Sequence, residues 1–197
     1  MGSYNGPTME DARWPDEELV RRFRDGDIVA FERLLERYSR PIYNFAFRLL
    51  GNQDDAEDAV QQTFVQAFES LPGVKAETPL RPWLFQVARN KCIDLIRKRR
   101  TVPLSSVQRE DDEPVDIDPP DTQPRPEELY ERAELQEILQ NAITDLPLRT
   151  REVVVMRYVA ELTFAEIGAA MGIPENTAKT LFQRAKPLLR ASIARRM

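Results

Sequence analysis

The chain has 197 residues, 42% of them hydrophobic and 31% charged, with one cysteine, no histidine and a formal net charge of −5. That length admits one large domain or two small ones, and abundant charge with few glycines favours helices over a β-sandwich. A disulfide, a zinc site, a Ser-His-Asp triad or a Cys-His pair would each need partners this sequence lacks, so many enzyme classes drop out together.

Helical periodicity starts near Asp16, where Asp16, Glu17 and Glu18 suit the positive end of a helix dipole, and it stops around Asp25-Gly26. A longer helix follows, with Phe31, Leu34, Leu35, Tyr38, Ile42, Phe45 and Leu49 at three- and four-residue steps. Pro41 should bend or split it, and Gly51-Asn52 ends it. The next helix, from about Asp54 to Leu71, presents Ala56, Val60, Thr63, Phe64, Ala67 and Leu71 on one face, and Pro72-Gly73 stops it. After a loop to about Arg81, a further helix carries Leu84, Ala88, Cys92 and Leu95 as its buried stripe. Cys92 on that stripe reads as a small core residue rather than a nucleophile.

Between Thr101 and Pro126 the periodicity vanishes. Six prolines and seven acids against Arg109 and Arg125 describe an acidic linker that buries too little surface to fold alone. This segment carries the whole net charge, so the remainder is neutral overall but segregated: Arg81 to Arg100 holds seven basic residues and only Asp94 as acid. Helical spacing resumes at Glu127 with Leu135, Ile138, Leu139, Ala142, Ile143 and Leu146. Helices at about 148–159, 163–171 and 175–190 follow. The expected fold is all-α: a four-helix domain over 14–100, the linker over 101–126 and a second helical domain over 127–197. No apolar run is long enough for a membrane span, and the N-terminus lacks a secretory pattern, so a cytoplasmic protein is expected.

Three constellations carry candidate chemistry. Asp54, Asp55, Glu57 and Asp58 suit a helix N-terminus, but hard cations also take carboxylates, and continuation into Gln61, Gln62 and Gln66 suits a protein contact. Trp83 and Phe85, followed by Asn90, Lys91 and Arg97–Arg100, are either core aromatics beside a solvated basic end or a platform for single-stranded DNA. Leu162 to Lys179 reads as helix, glycine turn at Gly172 and second helix, with Ile167, Ala170 and Met171 facing a neighbour. Six Lys or Arg and no acid lie from Lys179 to Met197, a combination that suits a helix in a DNA major groove.

Taken in order, these parts resemble the bacterial sigma-70 family, in its small two-domain extracytoplasmic-function group, from about Asp16 to Arg190. Asp55-Ala56-Glu57-Asp58-Ala59-Val60-Gln61-Gln62-Thr63-Phe64 is similar to the family's polymerase-clamp-binding helix. Trp83-Leu84-Phe85-Gln86-Val87-Ala88-Arg89-Asn90 with Asp94-Leu95-Ile96-Arg97 resembles its −10 recognition helix. Leu146-Pro147, Arg151-Glu152-Val153 and the helix–turn–helix resemble its −35-reading domain.

The resemblance implies that Asp55, Glu57, Asp58, Gln61, Gln62 and Phe64 dock on the β′ clamp of core RNA polymerase, with further contact to the β subunit. It implies that Trp83, Arg89, Asn90, Lys91 and Arg97, with the loop from Val74 to Pro82, hold the −10 non-template strand. Glu175, Asn176, Thr177, Lys179, Thr180, Gln183 and Arg184 would read the −35 duplex. The acidic linker would thread the RNA exit path, its carboxylates standing where RNA phosphates pass. The polymerase performs the chemistry, so no catalytic residue, metal or cofactor is expected of this chain. Relatives are often held inactive by an anti-sigma protein between the domains, though no residue here identifies one.

Leu181 stands where many relatives carry Arg, Ala178 replaces a commoner valine, and Pro187 predicts a kink or early end of the recognition helix. The proline-rich loop from Lys75 to Pro82 leaves the captured base open. A dimeric helix–turn–helix regulator acting without polymerase is the alternative of a different class. A carboxylate-metal nuclease at Asp54 and Glu57 is the other.

Overall fold

The computed structural model describes residues 14–75, 77–101 and 126–197. Its elements are α1 (Asp16–Arg24), α2 (Ile28–Leu50), α3 (Gln53–Ser70), a 3₁₀ turn (Leu71–Gly73), α4 (Leu80–Thr101), α5 (Pro126–Thr144), α6 (Leu148–Tyr158), α7 (Phe164–Met171) and α8 (Glu175–Ala194). Among the described residues there is no strand, so the fold is all-α. The expected acidic linker, residues 102–125, lies outside the described residues, as does Ala76 in the loop before α4.

Local chemistry sets the helix ends. Asp27 caps α2 by accepting from the Val29 amide at 3.0 Å, and Asn52 caps α3 by accepting from the Asp55 amide at 2.8 Å. Between them Gly51 takes φ 70°, a left-handed conformation open to glycine at no steric cost, and donates to Phe47 O at 2.8 Å. Pro41 does not split α2 as its sequence position predicts. The ring removes one backbone donor, but Tyr38, Ile42 and Phe45 around it are buried, and their packing holds the helix through the gap.

In the N-terminal half α2 packs against α1, α3 and α4. Phe45 and Phe85 meet edge-on, 5.4 Å apart, both fully buried. Cys92 is also fully buried, and burial pushes its thiol up. The native chain should therefore resist iodoacetamide at pH 8 and label at the rate of unfolding, as mass spectrometry against time would show; prompt labelling would contradict this packing.

In the C-terminal half α6, α7 and α8 enclose Val153, Met156, Ile167 and Phe182. Thr163 and Glu166 form a reciprocal capping box at the start of α7. Gly172 takes φ 64° in the turn, as the sequence predicts, but the tighter constraint falls on Gly168. A Cβ there would lie 2.8 Å from Ile173 O and 3.3 Å from the Glu175 amide, both backbone atoms that cannot swing aside. Gly168→Ala should cost about 1–3 kcal/mol of stability by forcing the turn apart, read as a shifted denaturant midpoint; an unshifted midpoint would refute the close approach.

The two halves do not keep separate cores. Their buried side chains form one contiguous cluster, with α2 against α5 and α6 and α4 against α7. At 23 residues α2 is about 35 Å long, and its last carbonyls have no partner within the helix. Donors from the other half take them: Gln140 Nε2 lies 3.3 Å from Phe47 O and 3.4 Å from Arg48 O, and Arg151 Nη1 donates to Leu49 O at 3.0 Å. The cap is returned in the opposite direction, where Arg81 Nε donates to Ala160 O at 2.9 Å, just beyond α6.

Candidate nucleic-acid interface

The outer face of α8 is open. Glu175, Asn176, Thr177, Lys179, Thr180, Gln183 and Arg184 are all exposed, while Ala178, Phe182 and Ala185 are buried beneath them. This division follows from helical spacing and leaves one polar face clear, with Lys179 and Arg184 as its cations. Lys179 Nζ stands 2.6 Å from Glu175 Oε1, and the Thr180 hydroxyl donates back to Asn176 O at 2.8 Å.

Leu181 is half-buried, packed against the core. Pro187 does not end α8, which continues to Ala194. The far end is held by buried Ser192, whose hydroxyl donates to Asp145 Oδ2 at 2.6 Å, and by Arg196, whose Nη2 lies 2.9 Å from the same carboxylate. Those two contacts offset the backbone bond that the proline forgoes.

On α4 the candidate residues separate. Asn90 and Arg97 are exposed, and Trp83 and Lys91 are half-buried. Phe85 is in the core against Phe45, which removes it as a stacking platform. Arg89 turns toward the C-terminal half: its Nη2 donates to Glu152 Oε2 at 3.1 Å, its Nη1 to Asn90 Oδ1 at 3.1 Å. Glu152 is only 2% exposed.

On α3, Glu57, Asp58 and Gln61 are exposed, and Gln62 is half-buried and donates to Asp58 Oδ2 at 2.7 Å. Two residues in the expected clamp set do not face outward. Phe64 is buried edge-on to Phe31, because its position on the helix belongs to the inner stripe. Asp55 is part-buried with its Oδ2 2.6 Å from Arg99 Nη2, an ion pair not aligned as a hydrogen bond. Sequence reasoning missed Val65 and Phe68, which are 60% and 45% exposed on the same face as Gln61. A shallow groove beside them is lined by Gln61, Gln62, Val65, Gln66, Glu69 and Lys91. The signal was present as apolar residues falling outside the inner stripe. Among the described residues no group of three or more carboxylates or thiols converges as metal ligands.

An open basic helix after a glycine turn, a second basic helix and an acidic–apolar stripe thus occur in one chain. Residues 34–102 match the family model for sigma-70 region 2, and residues 136–189 match that for sigma-70 region 4. Over 179 residues the chain is 30% identical to the ECF RNA polymerase sigma factor SigW of Bacillus subtilis (strain 168), covering 90% of this chain and 96% of that protein. The chain belongs to the extracytoplasmic-function group of the sigma-70 family.

It is also 32% identical to the RNA polymerase sigma factor NccH of Alcaligenes xylosoxydans xylosoxydans, covering 89% of this chain and 93% of that protein. Against the ECF RNA polymerase sigma factor SigE of Mycolicibacterium smegmatis identity is 31% over 84% of this chain, which spans 62% of the length of that relative. The solved structure of CnrH in complex with the cytosolic domain of CnrY superposes with a TM-score of 0.67 at 25% identity, covering 89% of this chain and 95% of that one. RpoE of Bartonella quintana, solved with the anti-sigma factor NepR, shares the fold with a TM-score of 0.63 at 23% identity. Region 2 of the sigma-70 family thus covers α3, α4 and most of α2, and region 4 the helix–turn–helix of α7 and α8.

Proposed function

We propose that this chain directs core RNA polymerase to promoters, binding the enzyme through α3, the −35 duplex through α8 and the −10 non-template strand through α4. The observation that carries the reading is the match to regions 2 and 4 in order, each with an exposed face of suitable chemistry. On α8, Asn176 and Gln183 have amides for base edges, Lys179 and Arg184 have cations for phosphate, and the helix N-terminus points the whole set into the major groove. On α4, Trp83 offers a stacking face and Asn90 a base-edge contact, with Lys91 and Arg97 beside the backbone. Glu57, Asp58, Gln61 and Gln62 form the clamp-facing set, joined by exposed Val65 and Phe68.

In this reading the chain supplies the address and the polymerase the chemistry, so it is no enzyme and works in the cytoplasm beside its partner. Residues 14–100 act as the core- and −10-binding domain, 101–126 as an acidic linker and 127–197 as the −35 domain. An anti-sigma protein belongs among its candidate partners. The test is run-off transcription with purified core polymerase over a genomic promoter library. Promoter-dependent initiation supports the reading and returns both sequence preferences. Absence of initiation, together with absence of binding to core, overturns it. Operator binding by a dimer that never co-purifies with core would favour a conventional helix–turn–helix regulator.

A further inference from the structure

Arg24, in the last turn of α1, reaches out of its own helix to the root of the loop that precedes α4. Its Nη2 donates to Val74 O. The Arg24 Nε is enclosed and finds no acceptor among the described residues, so the contact with Val74 orients the guanidinium. Arg24 lies ahead of residue 34, where the match to region 2 begins.

Val74 is fixed by side chain and backbone together. The side chain packs half-buried against the core, the amide donates to Leu71 O at 3.2 Å, and the carbonyl takes the Arg24 bond. Beyond it Lys75, Glu77, Thr78 and Pro79 are exposed, and the Thr78 amide closes a turn on Lys75 O at 3.1 Å. The chain is anchored again at buried Leu80 and at Pro79 O, which accepts from the Trp83 amide at 3.4 Å. An exposed turn thus stands between two held ends, at the entry to the helix that carries Trp83.

We propose that Arg24 is a positioning residue for base selection at the −10 element: by fixing the Val74 carbonyl, it sets where the turn from Lys75 to Thr78 stands over the base that the loop captures. This role rests on the proposed function, and Arg24 itself touches no DNA in it. The direction of a carbonyl fixes the whole peptide plane that leads into Lys75, and the chain beyond swings with that plane. A hydrogen bond from a guanidinium is about twice as strong as one between neutral groups, which favours a single setting. Telling one base from another depends on that setting, because hydrogen bonds weaken steeply once distance or angle is lost. A turn ordered beforehand also loses less freedom when it closes on a base.

The test uses holoenzyme reconstituted from core RNA polymerase and the full-length chain, on single strands with a randomised −10 segment joined to a constant −35 duplex. Arg24→Met approximates the stem and removes the donors. It should lower discrimination at one −10 position about tenfold, the lower range for losing a hydrogen bond to a charged group, and leave the other positions as they were. Binding to core and to the −35 duplex alone should be unchanged. A second probe spares the arginine. An α-hydroxy acid with the lysine side chain, placed at Lys75, turns the Val74 carbonyl into an ester carbonyl, a poorer acceptor. It should relax the same position, and it decides the matter if Arg24→Met unfolds.

An unaltered preference in either folded variant overturns the proposal. So does an equal loss of affinity for every sequence, which is what a merely structural arginine would give. A wild-type holoenzyme with no −10 preference condemns the sigma reading as well. A selective wild type beside an equally selective Arg24→Met condemns only the role of Arg24.

Discussion

Val65→Asp should weaken binding to core RNA polymerase by about 100-fold or more, with the melting temperature of the free chain almost unchanged. Val65 is exposed in the middle of the α3 stripe, flanked by Gln61, Gln62 and Phe68, so the free chain gives up little when it is replaced. In the proposed complex the same position would be enclosed, and a carboxylate there would have to shed its water without a partner. A penalty of about 3 kcal/mol corresponds to that loss of affinity. Titration of labelled core with wild-type and variant chain would measure it. Wild-type affinity in the variant would move the polymerase-binding surface elsewhere on the molecule.

Phe45→Ala should remove about 3–5 kcal/mol of stability, the usual range for deleting a buried aromatic ring. The ring is fully enclosed, meets Phe85 edge-on, and lies in the C-terminal third of the helix that contacts both halves. A loss of that size is comparable with the whole stability of many domains, so the variant should be largely unfolded near 37 °C. Because both halves share one buried cluster, the two should melt together, as near-ultraviolet and far-ultraviolet dichroism recorded on the same sample would reveal. Two separated transitions, with the C-terminal one undisturbed, would mean that the shared cluster is not cooperative.

Helical periodicity was enough to place each helix within a few residues, because a 3.6-residue stripe is written directly in Leu34, Tyr38, Ile42, Phe45 and Leu49. Neither proline breaks its helix, and for the same reason. A missing backbone donor is a local cost visible in sequence, whereas the buried neighbours of Pro41 and the Ser192–Asp145 tie beyond Pro187 are tertiary and invisible there. The open face of α8 was legible because helix geometry alone separates Ala178, Phe182 and Ala185 from Asn176, Lys179 and Gln183. Arg89 was not. A basic residue on a basic helix looks solvated in sequence, and only the docking of α6 supplies the carboxylate that turns it inward. Phe64 and Val65 show the same limit within one helix: a shift of one residue, about 100° of rotation, exchanges core for surface.

The pairing of Lys179 with Glu175 has a consequence for how α8 meets DNA. A lysine that reaches the duplex bearing its own carboxylate displaces fewer condensed sodium or potassium ions than a bare one, since part of the neutralisation is internal to the helix. Each unencumbered cation would steepen the dependence of log affinity on log ionic strength by about 0.9. The −35 contact should thus fade more gently as ionic strength rises than a tally of its cations implies, and stray duplexes should hold the chain less firmly.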